Sequence, residues 1–172
     1  MKKLSVSSTL FLLCFLFLAY SSPKTQEDLD KTTFILVRHA EKADDGTEDP
    51  PLNEMGWERA AALANHLKET DITAIYCTNY KRTRQTVQQI ADEKGLEIRR
   101  HDPFAKTTLD SMFQSDAGGT VLISGHSNTT PMLVNQLIGQ ERYQQFEDSD
   151  YDNLFIVTAS EKGKGTVVKL TF

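Results

Sequence analysis

Arginine and histidine side chains follow three apolar segments of this chain. Arg38 and His39 come directly after the run FILV, and His126 comes after VLISG. Arg82 lies in the segment TNYKRTRQT, shortly after a third apolar run. If the fold brings these side chains together, two guanidinium groups and two imidazoles form a set suited to an oxyanion.

Phosphate is the oxyanion that fits this set best. Each guanidinium can donate two parallel hydrogen bonds to an oxyanion, and an arginine stays charged at any working pH. A neutral imidazole is a nucleophile near pH 7, and the phosphoramidate that it forms can be hydrolysed in a second step. The arginines would stabilise charge on the equatorial oxygens of the transition state. These residue types therefore predict phosphoryl transfer through a histidine.

Alternating strands and helices must position these side chains. Continuous apolar runs rich in β-branched residues predict strands over 33–37, 72–77, 96–100, 120–124, 154–159 and 166–172. Helical periodicity and flanking Asn, Gly and Pro residues predict helices over 53–68, 80–94, 107–115 and 131–138. Strands that alternate with helices form right-handed βαβ units. The predicted fold class is α/β, a three-layer sandwich with a mostly parallel sheet and an antiparallel edge.

The carboxyl ends of the strands are the expected ligand site, because open α/β sheets bind ligands at that edge. Arg38 and His39 follow the first predicted strand, and His126 follows the fourth. The segment 78–84, which includes Arg82, follows the second. We therefore expect three strands to bring these residues to the same edge.

Four blocks of sequence carry a family resemblance. VRHAE, PLNEMGWERA, TNYKRTRQT and ISGHSN occur in this order, and together they resemble the histidine phosphatase superfamily, which contains phosphoglycerate mutases and many small phosphatases. The likeness runs from about Thr33 to Ile138. RHAE alone is a weak signal, but four ordered blocks at suitable distances are specific. The resemblance implies a phosphoglycerate mutase-like fold, a covalent phosphohistidine intermediate and no metal or organic cofactor.

The resemblance also implies individual roles. His39 is similar in position to the phosphorylated nucleophile, and Arg38 to the phosphate-binding arginine beside it. Arg82 resembles the second arginine. His126 resembles the second histidine, which binds the phosphoryl group and assists its transfer.

The chain departs from the family pattern in two places. Mutase-like members have an asparagine soon after the RHGE-type motif, and the segment EKADDGTEDPP has none. Many members also have a glutamic acid that donates a proton, where this chain reads HDPFAKTTLDS. If a carboxyl group elsewhere takes that role, the candidates are Asp102, Asp110, Asp150 and Asp152. The last two precede a strand that would begin at the site if it runs antiparallel.

Spacing bears on the substrate. The 43 residues 83–125 must supply part of a helix, a strand and the approach to the next strand, which leaves no room for a cap domain. We therefore expect a shallow, open pocket, similar to the small branch of the family that acts on phosphoproteins or small phosphoesters. The prediction is a phosphatase for phosphomonoesters or phosphoproteins, phosphohistidine included. The alternatives are a phosphomutase of the same superfamily and a non-catalytic phosphate-binding module.

The remaining polar and aromatic residues have simpler interpretations. We expect His66 and His101 to be structural or solvent-facing, and Glu41 to hold an arginine or cap its loop. Trp57 lies at helical spacing with alanines, so we place it in the core. Cys77 follows a strand-like run and is predicted to be a buried free thiol.

The N-terminus predicts export. Residues 1–22 have two lysines, a short apolar run and then small polar residues, the form of a secretory signal peptide. The apolar run is short for a membrane helix, so an uncleaved anchor is the alternative. Residues 23–32 are polar and read as a linker, and 33–172 as the histidine phosphatase domain. The expected location is periplasmic or secreted.

Net charge limits the partners. The chain carries a formal charge of -5 at pH 7. Nucleic acid is therefore not an expected partner, because binding to phosphate backbones needs a basic face. We expect a small phosphorylated substrate or a phosphoprotein as the partner, and no membrane contact beyond an N-terminal anchor.

Overall fold

A computed structural model describes residues 31–172. The predicted signal peptide, 1–22, and most of the predicted linker lie outside the described residues. Within 31–172 the elements in chain order are β1 (Thr32–Arg38), α1 (Glu54–His66), β2 (Ala74–Cys77), α2 (Lys81–Lys94), β3 (Ile98–Arg100), α3 (Thr108–Ser115), β4 (Thr120–Gly125), α4 (Thr129–Ile138), β5 (Asn153–Ala159) and β6 (Thr166–Thr171). β1 begins at Thr32, the last residue that the sequence assigned to the linker.

The six strands form one sheet in the order β3-β2-β4-β1-β5-β6. Pairs among β1, β2, β3 and β4 are parallel, whereas β5 runs antiparallel to β1 and to β6. Arg38 is paired in register with Gly125, and Cys77 with Ser124. The carboxyl ends of β1, β2 and β4 are therefore level. The predicted mostly parallel sheet with an antiparallel edge is confirmed.

The strand β1 is buried on both faces, as its continuous apolar run predicts. Phe34 and Leu36 point to one face and pack with buried residues of α3 and α4. Ile35 and Val37 point to the other face and pack with buried residues of α1 and α2. Two apolar clusters on opposite sides of the sheet make the three-layer sandwich.

The ends of the helices follow from single residues. The Asn53 side-chain oxygen accepts a hydrogen bond from the Gly56 amide at 2.9 Å, which caps the start of α1. Gly95 and Gly139 end α2 and α4 with φ of 64° and 68°, a left-handed conformation that favours glycine. The predicted starts and ends of the helices agree with the structure to within about two residues.

The core assignment of Trp57 is wrong. Trp57 is 48% exposed, and the buried residues of α1 are instead Gly56, Ala60, Leu63 and Ala64. A Cβ atom at position 56 would lie 2.2 Å from the carbonyl oxygen of Glu41. Because Gly56 lets the helix lie directly on the segment after β1, this face turns inward and Trp57 turns towards solvent.

Two further features concern the described part of the chain. Cys77 is a buried free thiol, as predicted. Among residues 31–172 no helix is long and apolar enough to span a membrane.

Candidate active site

The four predicted residues lie in the wall of one pocket at the carboxyl ends of the parallel strands. Arg38, His39, Arg82 and His126 all line this cavity of about 630 Å³. The ring centroids of the two histidines are 5.3 Å apart. The structure thus confirms the predicted gathering of these side chains at one edge.

His39 has one ring nitrogen engaged and the other available. Its Nδ1 donates a hydrogen bond to the Ala40 carbonyl oxygen at 2.8 Å, so the lone pair lies on Nε2. The pKa of His39 is lowered to about 3, chiefly by burial, while the Ala40 hydrogen bond opposes the shift and electrostatic interaction with His126, Arg82 and Arg38 adds to it. The imidazole is therefore neutral at pH 7 and can act as a nucleophile.

Arg38 is held in place by loop residues that precede β5. Its Nη1 donates to the carbonyl oxygens of Glu147 at 2.8 Å and Asp150 at 2.9 Å. Its guanidinium carbon lies 4.0 Å from the centre of the Tyr151 ring. Its Nε is buried and has no hydrogen-bond partner among the described residues. The side chain is therefore oriented in advance, and its Nε is left without an acceptor.

Arg82 is placed by the first turn of α2. Its guanidinium lies 4.3 Å from the centre of the Tyr80 ring, and its Nη1 lies 3.7 Å from a carboxylate oxygen of Asp49. Its Nε and Nη1 are buried and make no hydrogen bond within residues 31–172. The Arg82 carbonyl oxygen accepts from the Thr86 hydroxyl, which itself accepts from the Ala40 amide. α2 therefore connects this arginine to the segment that carries His39.

His126 is held by Thr78. Its Nε2 and the Thr78 hydroxyl oxygen are hydrogen-bonded at 2.8 Å, and its ring packs edge-on against Tyr80 with centroids 5.0 Å apart. Burial lowers the pKa of His126 to about 4, and the charges of Arg82 and Arg38 contribute. Thr78 directly follows β2, so the strand-end rule could have identified it.

The segment after β1 is secured by an ion pair. Arg59 of α1 donates from Nε and Nη2 to the Glu41 carboxylate, with the shortest distance 2.7 Å. Burial opposes ionisation of Glu41, but the hydrogen bonds and charge of Arg59, a backbone hydrogen bond and the charge of Arg38 together outweigh it and lower the pKa of this carboxyl. The predicted role of Glu41 as a partner for an arginine is confirmed.

His101 lies in the pocket wall, where the sequence interpretation did not place it. Both of its ring nitrogens are buried and lack a hydrogen-bond partner in the described chain. Burial lowers its pKa to about 4. β3 ends at Arg100, so the strand-end rule that identified His39 and His126 applies to His101 as well.

The structure distinguishes among the candidate proton donors. Asp102 lines the pocket, and its carboxylate accepts from the Phe104 amide at 2.9 Å. Asp110 pairs with Lys162 at 3.2 Å and does not line the pocket. Among the predicted candidates, Asp102 is therefore placed for contact with a ligand, and Asp110 is not.

The region before β5 contributes differently from the expectation. β5 does run antiparallel to β1, so residues 150–152, which precede it, lie near the pocket. The Asp150 carboxylate, however, accepts from the Asn153 side chain at 2.7 Å, and Asp152 does not line the cavity. Asp148, which the sequence did not single out, does line it.

The described residues contain no group of three or more His, Cys, Asp or Glu side chains arranged to hold a metal ion. The pocket is lined by three histidines, and the two arginines beside them have three buried nitrogens without hydrogen-bond partners in the described chain. This arrangement can bind a tetrahedral oxyanion beside a neutral imidazole.

A sequence model of the histidine phosphatase superfamily (branch 1) matches residues 34–105. This segment holds Arg38, His39 and Arg82, whereas His126 joins them through the fold. The match covers 72 of the 172 residues and supports a relationship of this segment to the histidine phosphatase superfamily.

Phosphoserine phosphatase 1 of Hydrogenobacter thermophilus is one curated relative. It is 39% identical over 74 residues, which are 40% of this chain and 35% of that protein. The chain spans about a third of the length of the curated relatives it matches.

Solved structures share the fold. A protein histidine phosphatase, SixA, complexed with tungstate has a TM-score of 0.65 at 19% identity, covering 81% of this chain and 96% of that one. A phosphoglycerate mutase from Bacillus anthracis has a TM-score of 0.62 at 15% identity, covering 85% of this chain and 95% of that one.

Proposed function

We propose that this chain is a phosphatase that hydrolyses phosphomonoesters or phosphorylated proteins, phosphohistidine included, through a covalent phosphohistidine at His39. The observation that carries the proposal is the pairing of a free Nε2 lone pair with unpartnered, buried N–H groups of Arg38 and Arg82. Unpartnered buried donors cost stability, and a bound phosphoryl group would supply their acceptors.

The pocket supports a two-step reaction. In the first step His39 Nε2 attacks phosphorus, the bond to the leaving oxygen breaks, and the arginines and His126 stabilise the equatorial oxygens. In the second step water attacks the phosphoramidate, the P–N bond breaks, and inorganic phosphate leaves. His39 returns to its neutral form with Nδ1 bonded to Ala40.

The leaving oxygen must take up a proton when the substrate is an alkyl ester. Asp102 and Asp148 are the carboxyl groups that line the cavity. We therefore propose that one of them supplies the proton, and that aryl esters, whose leaving groups are stable as anions, do not need it.

The comparisons support the reaction class. The structural relative complexed with tungstate was solved with an oxyanion of phosphate's shape. A phosphoserine phosphatase is among the curated relatives. No cap domain lies between Arg82 and His126 in the described chain, which suits substrates as large as a phosphoprotein.

Turnover of p-nitrophenyl phosphate and of a phosphohistidine peptide tests the proposal. The wild-type chain should release inorganic phosphate from at least one of them, and His39→Ala should not. His66→Ala is the matched control, since His66 is an exposed histidine on α1. Equal activity of His39→Ala and the wild type would refute the assignment. Transfer of the phosphoryl group to a second hydroxyl without release of phosphate would indicate a mutase instead.

Export remains part of the proposal. The form of residues 1–22 supports it, and mass spectrometry of the mature N-terminus after expression with its native leader tests it. Cleavage after Ser21 is expected, whereas an intact N-terminus in the cytoplasmic fraction would contradict export.

A further inference from the structure

A second pocket lies beside the active-site pocket. It has a volume of about 650 Å³. The two pockets share one wall, formed by Thr78, Asn79 and Tyr80. Three residues of extended chain span at most roughly 11 Å, so a ligand of modest length could occupy both pockets.

The lining of the second pocket is basic in a chain of formal charge -5. Its charged residues are four cations and two anions: Lys81, Arg84, Arg99, Arg100, Asp49 and Glu97. A local excess of positive charge on an acidic molecule attracts anions to that place and not to the rest of the surface.

Two of the four cations, Lys81 and Arg84, are available for a ligand. The charge of Lys81 acts on the Asp45 carboxylate and that of Arg84 on the Cys77 thiol, and neither cationic head group forms a hydrogen bond or a close ion pair with a described residue. Asp49, which lines the same pocket, accepts from the Lys81 amide at 2.9 Å and lies 3.7 Å from Arg82. Its carboxylate is therefore partly engaged at the start of α2, and the four cations still outnumber the two anions of the lining.

The other two arginines are partly engaged. Arg99 pairs with Asp116 at 3.0 Å, outside the second pocket. Arg100 donates one Nη1 bond to the Asn79 side chain at 3.0 Å. Arg100 thereby fixes a residue of the shared wall and keeps its other donors.

We infer that the second pocket binds a second anionic group of the substrate while the phosphoryl group occupies the active-site pocket. The inference rests on the proposed phosphatase function and narrows its substrate class. The second group is a carboxylate or another phosphate. In an extended peptide, which advances about 3.3 Å per residue, an acidic side chain about three residues from the phosphorylated one would reach across the wall.

Binding to the His39→Ala chain tests this inference without turnover. The probes are two fluorescent phosphoserine peptides that differ only by Glu or Gln three residues from the phosphoserine, and an alkanediol bisphosphate and its monophosphate as competitors. In each pair of probes, one ligand has a second anionic group and the other has only its phosphoryl group. The variant Lys81→Gln/Arg84→Gln should weaken binding of the ligand with the second group about three- to tenfold, and binding of the other ligand should not change. The difference should vanish near 1 M salt, where the Debye length is about 3 Å.

The matched control is Lys68→Gln/Lys169→Gln, which removes the same charge from exposed positions that line neither pocket. If the variant loses the difference in affinity only for the peptide pair, the second group is a carboxylate. If it loses the difference only for the diol pair, the second group is a phosphate. Equal weakening of both members of each pair, an equal effect of the control, or no binding at all would overturn the inference.

The proposed function is assayed separately, by p-nitrophenyl phosphate turnover in the wild type. If the wild type turns over p-nitrophenyl phosphate but the variant affects binding of both members of each pair equally, the second-pocket inference alone is refuted. If the variant selectively weakens binding of the ligand with the second group and there is no turnover, the phosphatase function alone is refuted.

Discussion

At the scale of single residues, the site is built from polar atoms that have one partner too few. His39 uses Nδ1 and leaves Nε2, and Arg38 uses Nη1 and leaves Nε. An unpartnered donor that is buried, such as Arg38 Nε, is costly in a folded protein unless a ligand supplies its acceptor. The concentration of such atoms in one pocket is therefore the physical reason to expect a phosphoryl group there.

The proton donor can be identified by comparing leaving groups. If Asp102 or Asp148 protonates the leaving oxygen, its replacement by Asn should lower turnover of an alkyl phosphate about 100-fold. Turnover of p-nitrophenyl phosphate should stay within about twofold, because p-nitrophenolate leaves without a proton. Steady-state kinetics with both substrates measure the difference.

Asp110→Asn is the control for that experiment, because Asp110 pairs with Lys162 outside the pocket. If Asp102→Asn and Asp148→Asn both left alkyl phosphate turnover unchanged, neither carboxyl group would be the donor.

At the scale of elements, α1 supports the site through close contact. Gly56 lies against the Glu41 carbonyl oxygen, and Arg59 of the same helix binds the Glu41 carboxylate. The helix thus holds the segment that carries His39 from two sides.

Gly56→Ala tests this support. A Cβ atom there would lie 2.2 Å from the Glu41 carbonyl oxygen, so the helix or the segment must shift. We expect a loss of about 1–3 kcal/mol in the free energy of unfolding, measured by urea denaturation, together with reduced turnover. Met55→Ala, at a 60% exposed neighbour, should change neither. A fully stable and active Gly56→Ala chain would show that this contact is not required.

Strand ends were the most predictable elements, and loops the least. Apolar strands are directly followed by Arg38, His39 and His126. The strand-end rule, by which ligands bind at the carboxyl ends of parallel strands, therefore places these residues together. The carbonyl oxygens of Glu147 and Asp150 that hold Arg38 have no sequence signal, because any residue type supplies a carbonyl. They depend on the path of a loop.

The prediction of which face of α1 is buried failed for a related reason. Trp57 and Gly56 are neighbours, and hydrophobicity alone favours burying the tryptophan. The buried face was decided by a backbone contact that needs glycine, which a periodic pattern does not report. His101 was missed because β3 is short and polar, so its end did not stand out.

At the scale of the whole molecule, three histidines, His39 buried and His101 and His126 half-buried, should make stability depend on pH. The pKa values of His39, His101 and His126 lie at about 3, about 4 and about 4, below the ordinary 6.5. As the pH falls, the unfolded chain takes up protons first. The contribution of these neutral histidines to the free energy of unfolding is therefore complete above about pH 6.5 and is lost progressively as the pH falls towards 4.

Urea denaturation across this range measures the effect. The free energy of unfolding should fall from pH 7 to pH 4, and His101→Phe, which removes one half-buried imidazole and its unpartnered nitrogens, should flatten the decline. An identical pH profile for His101→Phe and the wild type would show that His101 does not contribute to it.

The most direct test of His39 as the nucleophile is chemical capture of the intermediate on the whole protein. After incubation with a ³²P-labelled phosphoester and rapid denaturation, the wild type should carry label that is labile in acid and stable in base, located at His39 by mass spectrometry. His39→Ala should carry none. Label on His39→Ala equal to the wild type, or label on another residue in the wild type, would contradict the assignment of His39 as the nucleophile.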